Sequence, residues 1–163
     1  MVDALSVRDA KPEEQGELTR LCVRATIHTG YDDAFIDRVM PALTITLPSI
    51  TTGCVQLAQR KSGEIAGVVV VTATMLQGIA LLAGIFVDPP FWRRGVGRTL
   101  FEAAVARAKR LKAGAVMIYA EPSAEGFYER MGAIRIGEGP FFYSPEVTLP
   151  HLLYLIPHDG TRR

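Results

Sequence analysis

Ile85-Phe86-Val87-Asp88-Pro89-Pro90-Phe91-Trp92-Arg93-Arg94-Gly95-Val96-Gly97-Arg98-Thr99-Leu100 is the stretch on which the reading of this chain turns. An apolar run stops at a proline pair, a basic turn with two glycines follows, and a helical pattern begins. Free backbone N–H groups and three arginines, Arg93, Arg94 and Arg98, therefore gather at one helix N-terminus. Unpaired donors and the helix dipole act together there, which suits a phosphorylated ligand. Gly95 and Gly97 let the backbone approach that ligand without a Cβ in the way.

Two other phosphate motifs do not fit. A P-loop requires GxxxxGK followed by Ser or Thr, and the chain has no such string. A dinucleotide fingerprint requires a third glycine where Leu100 stands, and no proline pair before the turn.

Outward from this stretch, Ile79 to Val87 is an apolar strand in which Gly84 suggests a bulge or close backbone approach. Val55–Gln59 and Ile65–Thr74 precede it as strands, joined by short turns at Lys61–Glu64 and Gln77–Gly78. Three strands in this order make an antiparallel meander. Gly95–Lys112 reads as a long helix ended by Gly114, and Ala115–Ala120 as a strand parallel to the one ending at Val87. Ser123–Met131 reads as a short helix capped by Ser123, and Ala133–Ile136 and Leu149–Ile156 as the last strands. Upstream, Leu5–Arg8 reads as a strand, 12–28 and about 32–43 as helices, and Leu47–Gly53 as a connection. The fold class expected is α/β, with a mixed, mostly antiparallel central sheet flanked by helices.

Composition sets the bounds. At 163 residues, 48% apolar and 21% charged, the chain suits one soluble domain over 1–163, with a frayed tail at 158–163. No apolar run approaches the roughly 20 residues of a membrane span, and Met1-Val2-Asp3-Ala4 has no signal-peptide character. A net charge of +1 argues against a nucleic-acid coat. Cys22 and Cys54 form no CxxC pair and share no metal-ligand spacing with His28, His151 or His158. Two reduced thiols, no metal, no membrane and a cytoplasmic location are the expectations.

Val87-x-Pro89 followed by Arg94-Gly95-Val96-Gly97-Arg98 resembles the central motif of the GNAT acyl-CoA N-acyltransferases. Ala124-x-x-Phe127-Tyr128-Glu129-Arg130-Met131-Gly132 resembles their second motif. The resemblance is strong from 79 to 133 and thin before 50. It implies acetyl-CoA as co-substrate and acetyl transfer to a primary amine of a small molecule or peptide. The N–H groups around Arg93, Arg94, Gly95, Val96, Gly97 and Arg98 would hold pyrophosphate. The strand edge at Ile85 and Val87 would pair with the pantetheine arm, with the Ile85 N–H near the thioester oxygen. Phe86, Trp92, Thr99, Ser123 and Phe127 complete the expected cofactor-binding set, and Tyr128 would face the sulfur. The chain departs from the family at Trp92, where Gln or Arg is usual, and at Glu121, where Asn is frequent. A homodimer is a family-level expectation.

Acyl transfer has simple requirements. The amine must be neutral, although a free alkylamine has a pKa near about 10. Charge developing on the thioester oxygen needs a donor already in place. The departing thiolate benefits from a proton, and Tyr128 is the candidate donor. The base is open, because neither Leu81, Ala83 and Ile85 nor Leu82, Gly84 and Phe86 supplies an ionisable group. Glu121, His28, Tyr31 and Asp32 are candidates, each with a surface or capping role as the plainer explanation. Phe141-Phe142-Tyr143 and the carboxylates Asp32, Asp33 and Asp37 are candidates for the acceptor pocket. The alternative function is a non-catalytic acyl-CoA sensor or docking module. A nucleic-acid binder is the weakest reading, since no set of stacking aromatics accompanies the basic helix.

Overall fold

The computed structural model describes residues 4–158, so the expected tail lies outside the described residues from Asp159 onward. Seven strands form one sheet: β1 Ser6–Asp9, β2 Val55–Gln59, β3 Ile65–Ala73, β4 Ile79–Val87, β5 Ala115–Tyr119, β6 Ile134–Phe141 and β7 Ser144–Leu155. Their order is β1-β2-β3-β4-β5-β7-β6. β4 and β5 pair in parallel, and the remaining neighbours are antiparallel. The sheet is thus mixed and mostly antiparallel, with the β2-β3-β4 meander at its centre.

Five helices flank it: α1 Gln15–His28, α2 Asp33–Leu43, α3 Leu47–Thr51, α4 Val96–Arg110 and α5 Glu125–Arg130. They divide between two cores. Val96, Leu100, Phe101, Ala104 and Ala108 of α4 pack with Val69, Val71, Ala80, Leu82, Val116 and Ile118. Leu18, Leu21 and Cys22 of α1 and Phe35, Ile36 and Val39 of α2 pack with Val55, Leu57 and Val68. Successive β3 residues serve opposite cores because side chains alternate along a strand. Burial pushes the Cys22 thiol up to about 12, which keeps it protonated and inert.

α4 crosses β3 at Gly67, where a Cβ would lie 2.8 Å from both Leu100 Cδ1 and the Phe86 carbonyl oxygen. That close approach sets the start of α4 at the end of β4.

Four local expectations are corrected. Leu47–Thr51 is a helix rather than a connection, because Thr46 and Ser49 cap each other reciprocally, Pro48 suits a first turn and Ile50 is buried. α4 ends at Arg110, and the left-handed residue after it is Lys112, φ 63°, not Gly114. α5 is preceded by a 3-10 turn, Pro122–Ala124, whose cap is Glu121, with Ser123 inside the turn. The last two strands are longer than expected and meet at Phe142–Tyr143. Gly137, Gly139, Pro140 and Pro150 hide that length in the sequence. They are tolerated because β6 is an edge and Pro150 lies one residue past the last β5 partner of β7.

Candidate functional site

The site begins where two strands part. β4 and β5 pair only from Ile79↔Ala115 to Leu82↔Ile118. β5 is paired with β7 along its whole length, from Ala115↔Leu155 to Tyr119↔His151, and just beyond it the Ala120 N–H donates to the Pro150 carbonyl at 2.9 Å. β4 runs on to Val87 with β3 as its only strand neighbour among the described residues.

A bulge resets β4 at this point. Val70 pairs with Gly84 and Val71 with Leu82, so Ala83 is the extra residue. Ile85 and Val87 therefore pack with the core of Ala80 and Leu82, while Phe86 joins the opposite core. The unbroken alternation expected for this strand is corrected by that one residue. Gly84 is required for space: a Cβ there would lie 2.5 Å from the Phe86 ring.

The direction of the backbone groups follows. The Asp88 N–H donates to the Ala66 carbonyl at 2.9 Å. Alternation in an antiparallel pair then turns the N–H and C=O of Ile85 and Val87 away from β3, into the opening. A cleft of about 640 Å³ occupies it.

One wall is the β4–α4 turn. Pro89–Phe91 forms a 3-10 turn, and α4 starts after Gly95. Arg93 and Gly95 take left-handed φ values of 62° and 82° on either side of Arg94. Such alternation aims neighbouring N–H groups to one side, forming a concavity for an anion. A Cβ at Gly95 would meet nothing within 4 Å, so its φ rather than its space demands glycine. Gly97 is the reverse case, since a Cβ there would sit 3.2 Å from the Phe127 ring. Arg93, Arg94 and Arg98 are exposed and form no ion pair among the described residues.

The opposite wall is α5 and the turn before it. Tyr128 is buried and its ring lies 5.2 Å from Phe127 and 6.3 Å from Phe101, centroid to centroid. Burial, and next the charge of Glu121, hold its phenol well above the usual tyrosine range. Glu121 accepts the Tyr31 hydroxyl at 2.6 Å, and its other oxygen accepts the N–H and hydroxyl of Ser123. Tyr31 stacks on Phe35 at 4.0 Å. The loop after α1 is thereby strapped across the end of β5.

The end of α1 closes the third side. Arg24 makes two hydrogen bonds to Asp88, 3.1 and 2.9 Å. His28 meets the Trp92 ring edge-on at 4.6 Å, and the Trp92 indole N–H donates to the Val87 carbonyl at 2.7 Å.

Of the residues singled out in the sequence, Ile85, Phe86, Val87, Trp92, Arg93, Gly95, Val96, Gly97, Arg98, Glu121, Ser123, Phe127 and Tyr128 line the cleft. Arg94 and Thr99 do not; the Thr99 hydroxyl donates to the Gly95 carbonyl at 3.1 Å. Asp32 is the cap of α2, accepting the Phe35 N–H at 2.8 Å. Phe141 packs into the second core, Phe142 is exposed, and neither they nor Tyr143 border the cleft. Sequence reasoning missed Ala25, Thr26 and Thr29 of the α1 end, and Arg130 and Met131 beyond Tyr128. Ala25 carried a signal, the buried stripe of α1; Thr26 and Thr29 carried none.

Among the described residues no His, Cys, Asp or Glu cluster stands ready to hold a metal, and no helix is long and apolar enough to cross a membrane.

Known proteins share this fold. A GCN5-related N-acetyltransferase from Rhodopseudomonas palustris superposes with a TM-score of 0.76 at 16% identity, covering 95% of this chain and 98% of its own. A putative acetyltransferase from Salmonella typhimurium, solved with acetyl-CoA, gives 0.69 at 13% identity, covering 98% of each chain. The ribosomal-protein-S18-alanine N-acetyltransferase of Escherichia coli gives 0.66 at 14% identity over 98% of this chain and 99% of its own. No curated protein matches by sequence. Residues 12–133 match the Acetyltransferase (GNAT) family. With that match spanning most of its length, the chain belongs to the GNAT acetyltransferase family.

Proposed function

We propose that this protein transfers an acetyl group from acetyl-CoA directly to a primary amine of a small molecule or peptide, both substrates being bound together. The observation that carries this reading is the free edge of β4, with a phosphate-suited turn at one end and a buried, protonated tyrosine nearby. The residues fit coenzyme A on their own terms. Three arginines with no ion pair among the described residues face solvent beside N–H groups held in left-handed turns. The outward N–H and C=O of Ile85 lack a strand partner, as a pantetheine amide requires.

In this reading the Ile85 N–H donates to the thioester oxygen, where charge builds during attack. One preorganised donor of this kind is worth about 10²–10³ in rate. Tyr128 protonates the departing sulfur, and its raised pKa keeps that proton in place at neutral pH. Glu121 is the one carboxylate among the lining residues and therefore the candidate base. Its two oxygens already accept three donors, which gives it a bracing task as well.

A second reading, a module that binds acyl-CoA without turnover, is favoured by that occupancy and by the lack of any ionisable side chain on β4. Release of coenzyme A with a panel of amines decides between them. Turnover with any amine supports the enzyme. Coenzyme A binding by calorimetry with no release from any acceptor supports the module. The acceptor class follows from the panel, because a shared fold does not identify a substrate.

A further inference from the structure

We propose that Trp92 is a placeholder for the pantetheine arm: its indole N–H occupies the Val87 carbonyl in the ligand-free protein and is displaced when acyl-CoA binds. This rests on the acyl-CoA reading above and adds a residue-level cost of entry to it.

Beyond Leu82, β4 has no β5 partner, and alternation points the carbonyls of Ile85 and Val87 into the cleft. An incoming chain of amides would pair with both. The Val87 carbonyl is already taken, by the Trp92 indole at 2.7 Å. At 2.7 Å the indole ring stands in the cleft against that oxygen, and a ligand amide N–H that reaches it along the strand edge has to displace the ring. Trp92 is 37% exposed, and its one ring neighbour is His28, itself exposed at the end of α1. An exposed ring with one hydrogen bond is able to swing, and the carbonyl it leaves passes to the ligand. The exchange conserves one hydrogen bond at Val87 and frees the indole to water.

The chain has a single tryptophan, so the exchange is directly visible. Saturating coenzyme A should red-shift the emission of the intact protein, because the indole moves from a carbonyl and a ring neighbour into water. Trp92→Phe keeps a ring beside His28 but removes the competing donor. Coenzyme A should then bind roughly fivefold more tightly by calorimetry, the factor that corresponds to one net hydrogen bond. Circular dichroism checks that the variant is folded. Binding to the wild type with no spectral shift, or equal or weaker binding to Trp92→Phe, overturns the placeholder while leaving the acyl-CoA reading intact. No binding heat for either protein at millimolar coenzyme A overturns both.

Discussion

On one side of the cleft, the turn we propose for phosphate is made by residues that follow one another from Trp92 to Gly97. On the other, Tyr31 reaches Glu121 across 90 positions, and behind it Arg38 reaches Glu146 across 108. The first wall is mostly backbone, shaped by two left-handed residues and a helix start. The second is mostly side chains, brought together by the packing of α1 and α2 over the sheet. A backbone device is fixed by local sequence and, in our reading, serves the phosphates of coenzyme A. A side-chain device is free to change, and in our reading it faces the acceptor. The contrast can be broken or sharpened by four substitutions.

Tyr128→Phe should have the largest effect. Loss of a proton donor lowers turnover by about 100-fold, while the turn proposed to hold coenzyme A is untouched. Steady-state rates with a competent amine, beside calorimetry with coenzyme A, measure the two separately. An unchanged rate, with chemistry shown to be the slow step, removes Tyr128 from the reaction. A parallel loss of affinity would mean that the two walls are not independent.

Gly67→Ala tests the joint on which the backbone wall rests. A Cβ there meets Leu100 and the Phe86 carbonyl at 2.8 Å, and a carbonyl on a paired strand has little room to move. Overpacking of this kind costs about 1–3 kcal/mol, to be read as a lower urea midpoint at unchanged slope. Stability equal to wild type would show that α4 shifts freely on β3.

Gly95→Ala isolates the turn itself. Nothing lies within 4 Å of the new Cβ, so the cost is the left-handed backbone alone, about 1–2 kcal/mol. Coenzyme A affinity should fall by up to about tenfold, with acceptor KM unaffected. If affinity holds, the turn tolerates an ordinary φ and its left-handed geometry is not what the ligand reads.

The same contrast explains what could be read from the amino-acid sequence. The strand, turn and helix from Ile79 to Arg110 follow from apolar runs, a proline pair and spaced glycines, all local signals. The bulge at Ala83 was only half visible. Gly84 pointed to it, but which residue is extra depends on pairing with Val70 and Val71. α3 was missed because its evidence is a reciprocal Thr46–Ser49 cap within a five-residue helix, too short for any periodicity. Glu121 stood out as a departure from the family, yet its bond to Tyr31 has no local trace. Phe141-Phe142-Tyr143 drew attention as an aromatic run, but register decides that Phe141 faces a core and Phe142 faces water.

Tyr31→Phe should have the smallest effect and the most selective one. It removes one hydroxyl from a half-buried ring that keeps its stack on Phe35. The lost bond to Glu121 is worth about 1 kcal/mol, or roughly fivefold in acceptor KM, with coenzyme A affinity unchanged. The pH dependence has a definite sign. Burial first, and the bond to Glu121 next, raise the Tyr31 phenol above its ordinary value. A raised pKa contributes its full stabilisation below the unfolded value of about 10 and loses it as pH rises through the higher folded one. The difference between Tyr31→Phe and wild type should therefore stay flat from about pH 6 to about pH 9 and shrink only above that range. A difference that collapses near neutrality would mean that some other group governs the strap. Combining Tyr31→Phe with Glu121→Gln closes a double-mutant cycle. Additive effects would show that the 2.6 Å bond does not couple the loop to β5, and the acceptor wall would then need another origin.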